Sequence, residues 1–252
     1  MKILAFNWKL NPLTEREALS LSSLSDRKDV ILFPPAVFLN AVVRRTKRAE
    51  VGVQNLFWET KGAFTGETSP VMIKSLGVRW ALVGHSERRK YFEETDETVN
   101  KKIKAAFAAG LNVILCVGEP MSARKKGIHA ARAFVRKQLV RGLSGIRNSK
   151  FLPAQAGKIR NLAVAYEPIW AISGGAVHHP SDTPKDSAEM AKFIKETLFS
   201  GFHSLNPEVL YGGSVDSKNV ADFLKPREVD GVLIGGASVK KEELKKIFKR
   251  AN

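Results

Sequence analysis

The feature that most restricts the fold of this 252-residue chain is an alternation repeated along its whole length. Short apolar runs fall at 3–7, 30–33, 50–54, 80–83, 113–117, 162–166, 208–211 and 231–234. Longer amphipathic segments separate them, at 15–24, 36–48, 70–76, 97–109, 128–143, 184–203, 217–224 and 241–249. Runs of four to six apolar and β-branched residues read as buried strands, and the segments between them read as helices. A strand–helix–strand order returns the chain to the same end of the sheet, so the strands are parallel. Eight such units within about 250 residues predict a closed α/β barrel, (β/α)8, in one domain spanning 1–252. The alternative is an open doubly wound sheet. No Gly-x-Gly-x-x-Gly follows the first run, which weakens a dinucleotide-binding version of it.

Local signals support several boundaries. Thr14 followed by Glu17 is a capping-box pattern, Thr95-Asp96-Glu97 can cap a helix that Gly110 ends, and Pro184 suits an early helical position. No linker or low-complexity stretch divides the chain. Residues 1–10 are interrupted by Asn7 and Lys9 and read as a first strand rather than a secretory signal. With no apolar run near the ~20 residues that span a bilayer, a cytoplasmic protein is expected. Cys116, the single cysteine, lies inside an apolar run and reads as a small buried residue, not a reactive thiol or part of a thiolate metal site.

Charge is the unusual part of the composition. Lys and Arg total 41 against 25 Asp and Glu, a formal +16. Such a balance favours anionic partners: phosphorylated metabolites, nucleic acid or an acidic membrane surface. The basic residues at 44–48, 124–126, 132–141 and 240–250 fall mostly in predicted helices, where solvated faces explain them better than a dedicated nucleic-acid patch. No RNA-binding aromatic motif or zinc-finger spacing accompanies them, so nucleic-acid binding is disfavoured but stays open.

In a parallel barrel the active site forms at the C-terminal ends of the strands. Asn7 and Lys9 follow the first run, His85 and Glu87 the fourth, Glu167 the sixth, and glycines with Ser214 the last two. A carboxylate can remove a proton beside a carbonyl, while an imidazole and an ammonium group steady the oxyanion that develops. Glycine-rich turns offer backbone N–H groups to a phosphate. Proton abstraction in a phosphorylated carbonyl compound is one reading of this set, and it requires no metal or redox group.

The motifs go further. Asn7-Trp8-Lys9, Gly84-His85-Ser86-Glu87-Arg88-Arg89, Ala165-Tyr166-Glu167-Pro168-Ile169-Trp170, Tyr211-Gly212-Gly213-Ser214-Val215 and Gly235-Gly236-Ala237-Ser238 resemble the triosephosphate isomerase family in order and spacing. Gln54-Asn55, 62–67 and 116–119 extend the likeness over almost the whole chain. The resemblance implies a (β/α)8 TIM barrel and a cofactor-free aldose–ketose isomerase acting on a phosphorylated triose. It implies Glu167 as the base and His85 as the electrophile. A helix turn beginning at Ser86-Glu87 would keep that imidazole neutral, a tuning for which triosephosphate isomerase is itself the standard illustration. It further implies Lys9 as the cation beside the substrate, Asn7 as a supporting polar group and Glu87 as the lysine's acidic partner. Ser173, Ser214, Gly235 and Gly236 become phosphate donors, and Arg88 and Arg89 structural ion-pair residues. Thr65, in the third loop, is expected to support the site of a second subunit in a homodimer.

One departure stands out. The family's sixth loop usually reads Ile-Gly-Thr-Gly, whereas here it reads Ile172-Ser173-Gly174-Gly175, followed by 176–179 with His178 and His179. Ser173 keeps the backbone donor but alters the backbone angles open to it. His178 and His179 read as loop residues rather than metal ligands. Two other functions compete: a phosphate-dependent aldolase using Lys9 as a Schiff-base lysine, and a basic nucleic-acid-binding protein on an inactive barrel.

Overall fold

The computed structural model describes residues 2–146, 162–172, 182–202 and 206–251. Its strands are β1 (Ile3–Asn7), β2 (Val30–Phe33), β3 (Glu50–Val53), β4 (Trp80–Val83), β5 (Asn112–Val117), β6 (Leu162–Tyr166), β7 (Glu208–Tyr211) and β8 (Gly231–Ile234). Each pairs in parallel with the next and β8 returns to β1, closing the barrel. The helices are α1 (Glu15–Leu24), α2 (Leu39–Arg45), α3 (Pro70–Ser75), α4 (Ser86–Tyr91), α5 (Asp96–Ala108), α6 (Met121–Arg124), α7 (Ile128–Gly142), α8 (Pro184–Gly201), α9 (Val220–Leu224) and α10 (Lys241–Arg250). This is the (β/α)8 barrel the sequence predicts. Among the described residues no helix is long and apolar enough to cross a membrane.

Two apolar layers follow from the two-residue period of the strands. Ala5, Ile31, Phe33, Trp80, Leu82, Ile114, Cys116, Ala163, Ala165, Leu210 and Leu233 form the barrel interior. Their neighbours, among them Leu4, Phe6, Leu32, Val83, Leu115 and Val164, face outward and pack beneath the helices. Cys116 is thus a wholly buried strand residue, and its thiol is pushed well up by burial and then by the nearby Glu167 carboxylate.

Helix starts follow their caps. Thr14 accepts from the N–H of Glu17, Thr95 forms a reciprocal box with Thr98, and Thr183 caps α8 ahead of Pro184. The short helices α4 and α6 are not among the expected segments, and two of the expected helices start or end elsewhere. The segment expected at 36–48 splits into a 3-10 turn, Ala36–Phe38, and α2; it ends early because the Asp26 carboxylate takes the N–H groups of Lys47, Arg48 and Ala49. The helix expected from 217 begins at Val220, because Asp216 and Asn219 side chains claim the backbone N–H groups of Lys218 and Asp216 in local turns.

Ile114 lies in the middle of the barrel interior with no solvent exposure. Ile114→Ala removes atoms that its ringed-in neighbours cannot replace. It is expected to cost about 2–5 kcal/mol of unfolding free energy, measured by urea denaturation at equilibrium; a loss below ~1 kcal/mol would show that the interior repacks.

Candidate active site

The inward alternation of the strands runs to the end of β1 and one residue past the end of β6. Ala5 faces inward and so does Asn7; Ala165 faces inward and so does Glu167. Asn7, His85 and Glu167 are all buried at this end of the barrel.

Lys9 reaches the site through an uncommon backbone. Its φ is 54°, in the left-handed region that side chains rarely occupy. Three contacts hold it there or nearby: its N–H donates to Oδ1 of Asn7 at 3.0 Å, and Nε2 of Gln54 donates to the carbonyls of Lys9 (2.9 Å) and Phe33 (2.8 Å). Asn7 therefore works as a turn-former for the lysine. The Lys9 ammonium meets Glu87 at 2.6 Å, and a Cβ placed on Gly235 would lie 3.0 Å from Lys9 Cε. The end of β8 and the first loop thus converge because Gly235 has no side chain. Gly236 opens a 3-10 turn beside it, Gly236–Val239.

His85 sits at the N-cap of α4. Its Nδ1 accepts the backbone N–H of Glu87 at 3.2 Å, so the ring proton lies on Nε2. That Nε2 is 3.2 Å from Oε1 of Glu167, and Oε2 of Glu167 accepts the N–H of Ser86 at 3.1 Å. Arg88 and Arg89 face away from this pair. Arg88 bonds Glu94 at 2.9 Å; Arg89 bonds Asp96 at 2.7 Å and the carbonyl of Gly84 at 2.8 Å. Both are ion-pair residues, as the sequence suggests.

Glu167 is fixed from behind. Its N–H donates to the carbonyl of Val117 at 2.7 Å, and a Cβ on Gly118 would fall 1.7 Å from its carbonyl oxygen. Gln138 of α7 accepts the N–H of Gly118 at 2.8 Å. Glu119, wholly buried, accepts from the Tyr166 hydroxyl at 3.1 Å and from Nε1 of Trp170 at 2.9 Å. The sequence places Gln54 and Glu119 in family-like motifs but gives neither a role, and it does not single out Gln138. Glu119 carried a signal, an acid at the end of an apolar strand run, but its indole and phenol partners are distant in sequence. A second buried group was also missed: Glu94 binds Lys102, Arg88 and the N–H of Gly84. Burial alone would raise the Glu94 carboxyl, but Lys102 and Arg88 overcome that and hold it below its usual range.

Of the remaining expected residues, Ser214 directs its hydroxyl to the carbonyl of Ala171 at 2.7 Å, tying the seventh loop to the sixth. Thr65 is exposed on the third loop, beyond the ring of site residues. Ser173, His178 and His179 lie outside the described residues. Among the described residues no cluster of three His, Cys, Asp or Glu is placed to hold a metal.

A closed parallel barrel with ionisable groups gathered at one end of its strands defines a (β/α)8-barrel enzyme. A family model described as triosephosphate isomerase matches residues 2–251. The triosephosphate isomerase of Dictyoglomus thermophilum is 37% identical to this chain, covering 98% of both. Those of Caldanaerobacter subterraneus and Moorella thermoacetica are 40% and 41% identical, covering 97% of both chains in the first case, and 94% of this chain and 93% of the relative in the second. The chain belongs to the triosephosphate isomerase family and is an isomerase of that class.

Asp182, just ahead of α8, gives a pH-dependent test of this region. It is buried, its Oδ1 accepts the N–H of Thr183 at 3.1 Å, and its Oδ2 has no hydrogen-bond partner among the described residues. Burial, then Asp186, push its carboxyl up to about 7 against the pull of Arg124. The folded state therefore holds a proton that the unfolded chain gives up at its ordinary value of 3.8, so stability falls as pH rises from there towards 7 and stays lowered above. Asp182→Asn is expected to be more stable than wild type at pH ~8, by on the order of 2–4 kcal/mol, and equal to it near pH ~4. Unfolding curves at both pH values check this; equal gains at both would show that ionisation is not the cause.

Proposed function

We propose that this chain interconverts dihydroxyacetone phosphate and D-glyceraldehyde 3-phosphate through an enediolate, with Glu167 as base and His85 as electrophile. The observation that carries the reading is the junction of Glu167, His85 and α4. Both carboxylate oxygens of Glu167 are engaged, one by Nε2 of His85 and the other by the N–H of Ser86. To reach a substrate carbon the carboxylate must leave both. The same movement frees the Nε2–H of His85 to donate to the substrate oxygens, so base and electrophile become available together. Glu167 then takes the proton from the carbon beside the carbonyl and returns it to the neighbouring carbon. The Nε2–H and the Lys9 ammonium stabilise the oxygen as negative charge develops on it.

The anionic end of the substrate fits the far side of the site. Gly235 lies against Lys9, and a Cβ on Gly236 would meet nothing within 4 Å, which leaves room for a phosphate; the resemblance adds the N–H of Ser173 and that of Ser214, which must first leave the Ala171 carbonyl it donates to at 3.3 Å. The Schiff-base alternative is disfavoured because Nζ of Lys9 is tied to the Glu87 carboxylate at 2.6 Å. The reaction draws on no cofactor and is assigned to the cytoplasm.

The oligomer is read from the same side of the barrel. Leu10, Leu13, Val37, Tyr91 and Phe92, on the connections after β1, β2 and β4, are each at least 65% exposed. Thr65 and the half-exposed Phe64 project after β3. Apolar exposure on four consecutive connections fits burial against a second copy, with Thr65 reaching its site. Sedimentation at micromolar concentration is expected to give a dimer of the 27.8 kDa chain; a monomer would remove this part of the reading.

Kinetics with glyceraldehyde 3-phosphate in a coupled assay test the chemistry. Glu167→Gln keeps the shape and removes the base, and is expected to lower kcat at least ~10²-fold. His85→Ala is expected to lower kcat more than it raises KM, since its bond strengthens as charge develops. Turnover near wild type in Glu167→Gln, or an effect of His85→Ala confined to KM, would overturn the assignments.

A further inference from the structure

The chain's positive charge is segregated. Between Glu119 and Glu167 there are eleven Lys and Arg and not one Asp or Glu, so this stretch supplies most of the formal +16. Its described part folds as α6, Lys125-Lys126 and α7. Helix α7 turns Ala131, Val135 and Leu139 inward and leaves His129, Arg136, Lys137 and Arg141 exposed on the opposite side.

Some of these cations are occupied. Arg124 pairs with Asp186 at 3.2 Å and lies over the Trp170 ring; Arg132 and Arg141 have acidic groups at 4.0 and 3.7 Å, in Glu189 and Glu97. Lys125, Lys126, Arg136 and Lys137 have no carboxylate within ion-pair distance among the described residues. Between α6 and α7 runs an open groove of about 440 Å³, floored by Ala123, Ala130, Ala133 and Phe134 and flanked by Lys126 and Lys137. Small side chains on the floor let a backbone approach closely, and lysines on both flanks give it a sign.

We propose that the α6–α7 face binds the phosphate backbone of duplex nucleic acid without regard to sequence. Cations without a carboxylate partner on α7 and on the turn that leads into it, in a chain with an isoelectric point near 10.0, match the electrostatic footprint of such a surface. Helix α7 is about 22 Å long, the length of roughly six base pairs. A bilayer fits less well, because the apolar side of α7 is turned into the protein and Val140 is its one large aliphatic side chain left exposed. Base stacking by a single strand also fits poorly. Phe134 is half-buried in the groove floor, and the guanidinium groups of Arg132 and Arg136 lie over the ring of Phe193. The inference is independent of the catalytic assignments, which concern the barrel's strand ends.

The test is fluorescence anisotropy of a labelled duplex of ~20 base pairs with the whole protein, between about 50 and 200 mM salt. Four phosphate contacts predict a slope of log K on log salt of about −3.6, so affinity falls roughly 10²-fold over that range. Lys126→Gln/Lys137→Gln is expected to flatten the slope by about 1.8, since two contacts are lost. Lys241→Gln/Lys249→Gln on α10 removes the same charge elsewhere and is expected to leave the slope unchanged. Both variants are expected to keep wild-type isomerase turnover, which reports folding. No duplex binding at the lowest salt overturns the proposal. So does equal weakening by the two variants, which would assign binding to overall charge. Displacement of the duplex by phosphatidylserine vesicles or by polyglutamate at matched charge also overturns it, because the face would then not select nucleic acid.

Discussion

Closing eight parallel strands into a ring fixes, for every strand, which side chains share the interior. The space there is small, and it is filled by setting large groups such as Phe33, Trp80 and Leu82 against small ones such as Ala5, Ala163 and Ala165. The rest of the molecule depends on that closure. Outward residues have nowhere to go but under the helices, and the same alternation turns Asn7, at the end of β1, and Glu167, just past β6, inward at one end of the barrel. The residues proposed for catalysis are thereby carried directly after strands of the barrel.

At that point few groups are left to chance. His85 has one nitrogen occupied by the N–H of Glu87 and the other aimed at Glu167. Glu119 grips the phenol and indole on either side of Glu167-Pro168, and Gln138 reaches from α7 to the turn at Gly118. His85, Glu119, Gln138 and Glu167 are all buried, so each bond is stronger than it would be at the surface. Lys9 is the exception in kind: its position is bought with an unfavourable backbone that Asn7 and Gln54 stabilise.

Much of this was legible in the sequence because it rests on local rules. Strand positions such as Ile3–Asn7 and Leu162–Tyr166 follow from short apolar runs, and helix starts at Thr14, Thr95 and Thr183 from capping chemistry. The motifs around His85 and Glu167 pointed to the family. What escaped depends on partners far apart in the chain. The early end of α2 is decided by Asp26, some twenty residues before it, and the value of Glu119 by Tyr166 and Trp170, more than forty residues after it. The left-handed backbone of Lys9 has no propensity signal, and α4 is too short and too charged for periodicity to reveal. The charge-free-of-acid stretch was visible as composition, but the periodicity of α7 had to place its cations on one face before it meant anything.

Gly118 carries a consequence for how tolerance to change should be interpreted across this barrel. It donates no functional group to the site, yet a single added carbon there would occupy the place of the Glu167 carbonyl oxygen. A position can therefore be as unforgiving as a catalytic one while doing no chemistry, because what it supplies is vacancy. In a saturation survey Gly118 and Glu167, the proposed base, would share one profile of intolerance, and activity alone could not tell a residue that acts from one that makes room for it.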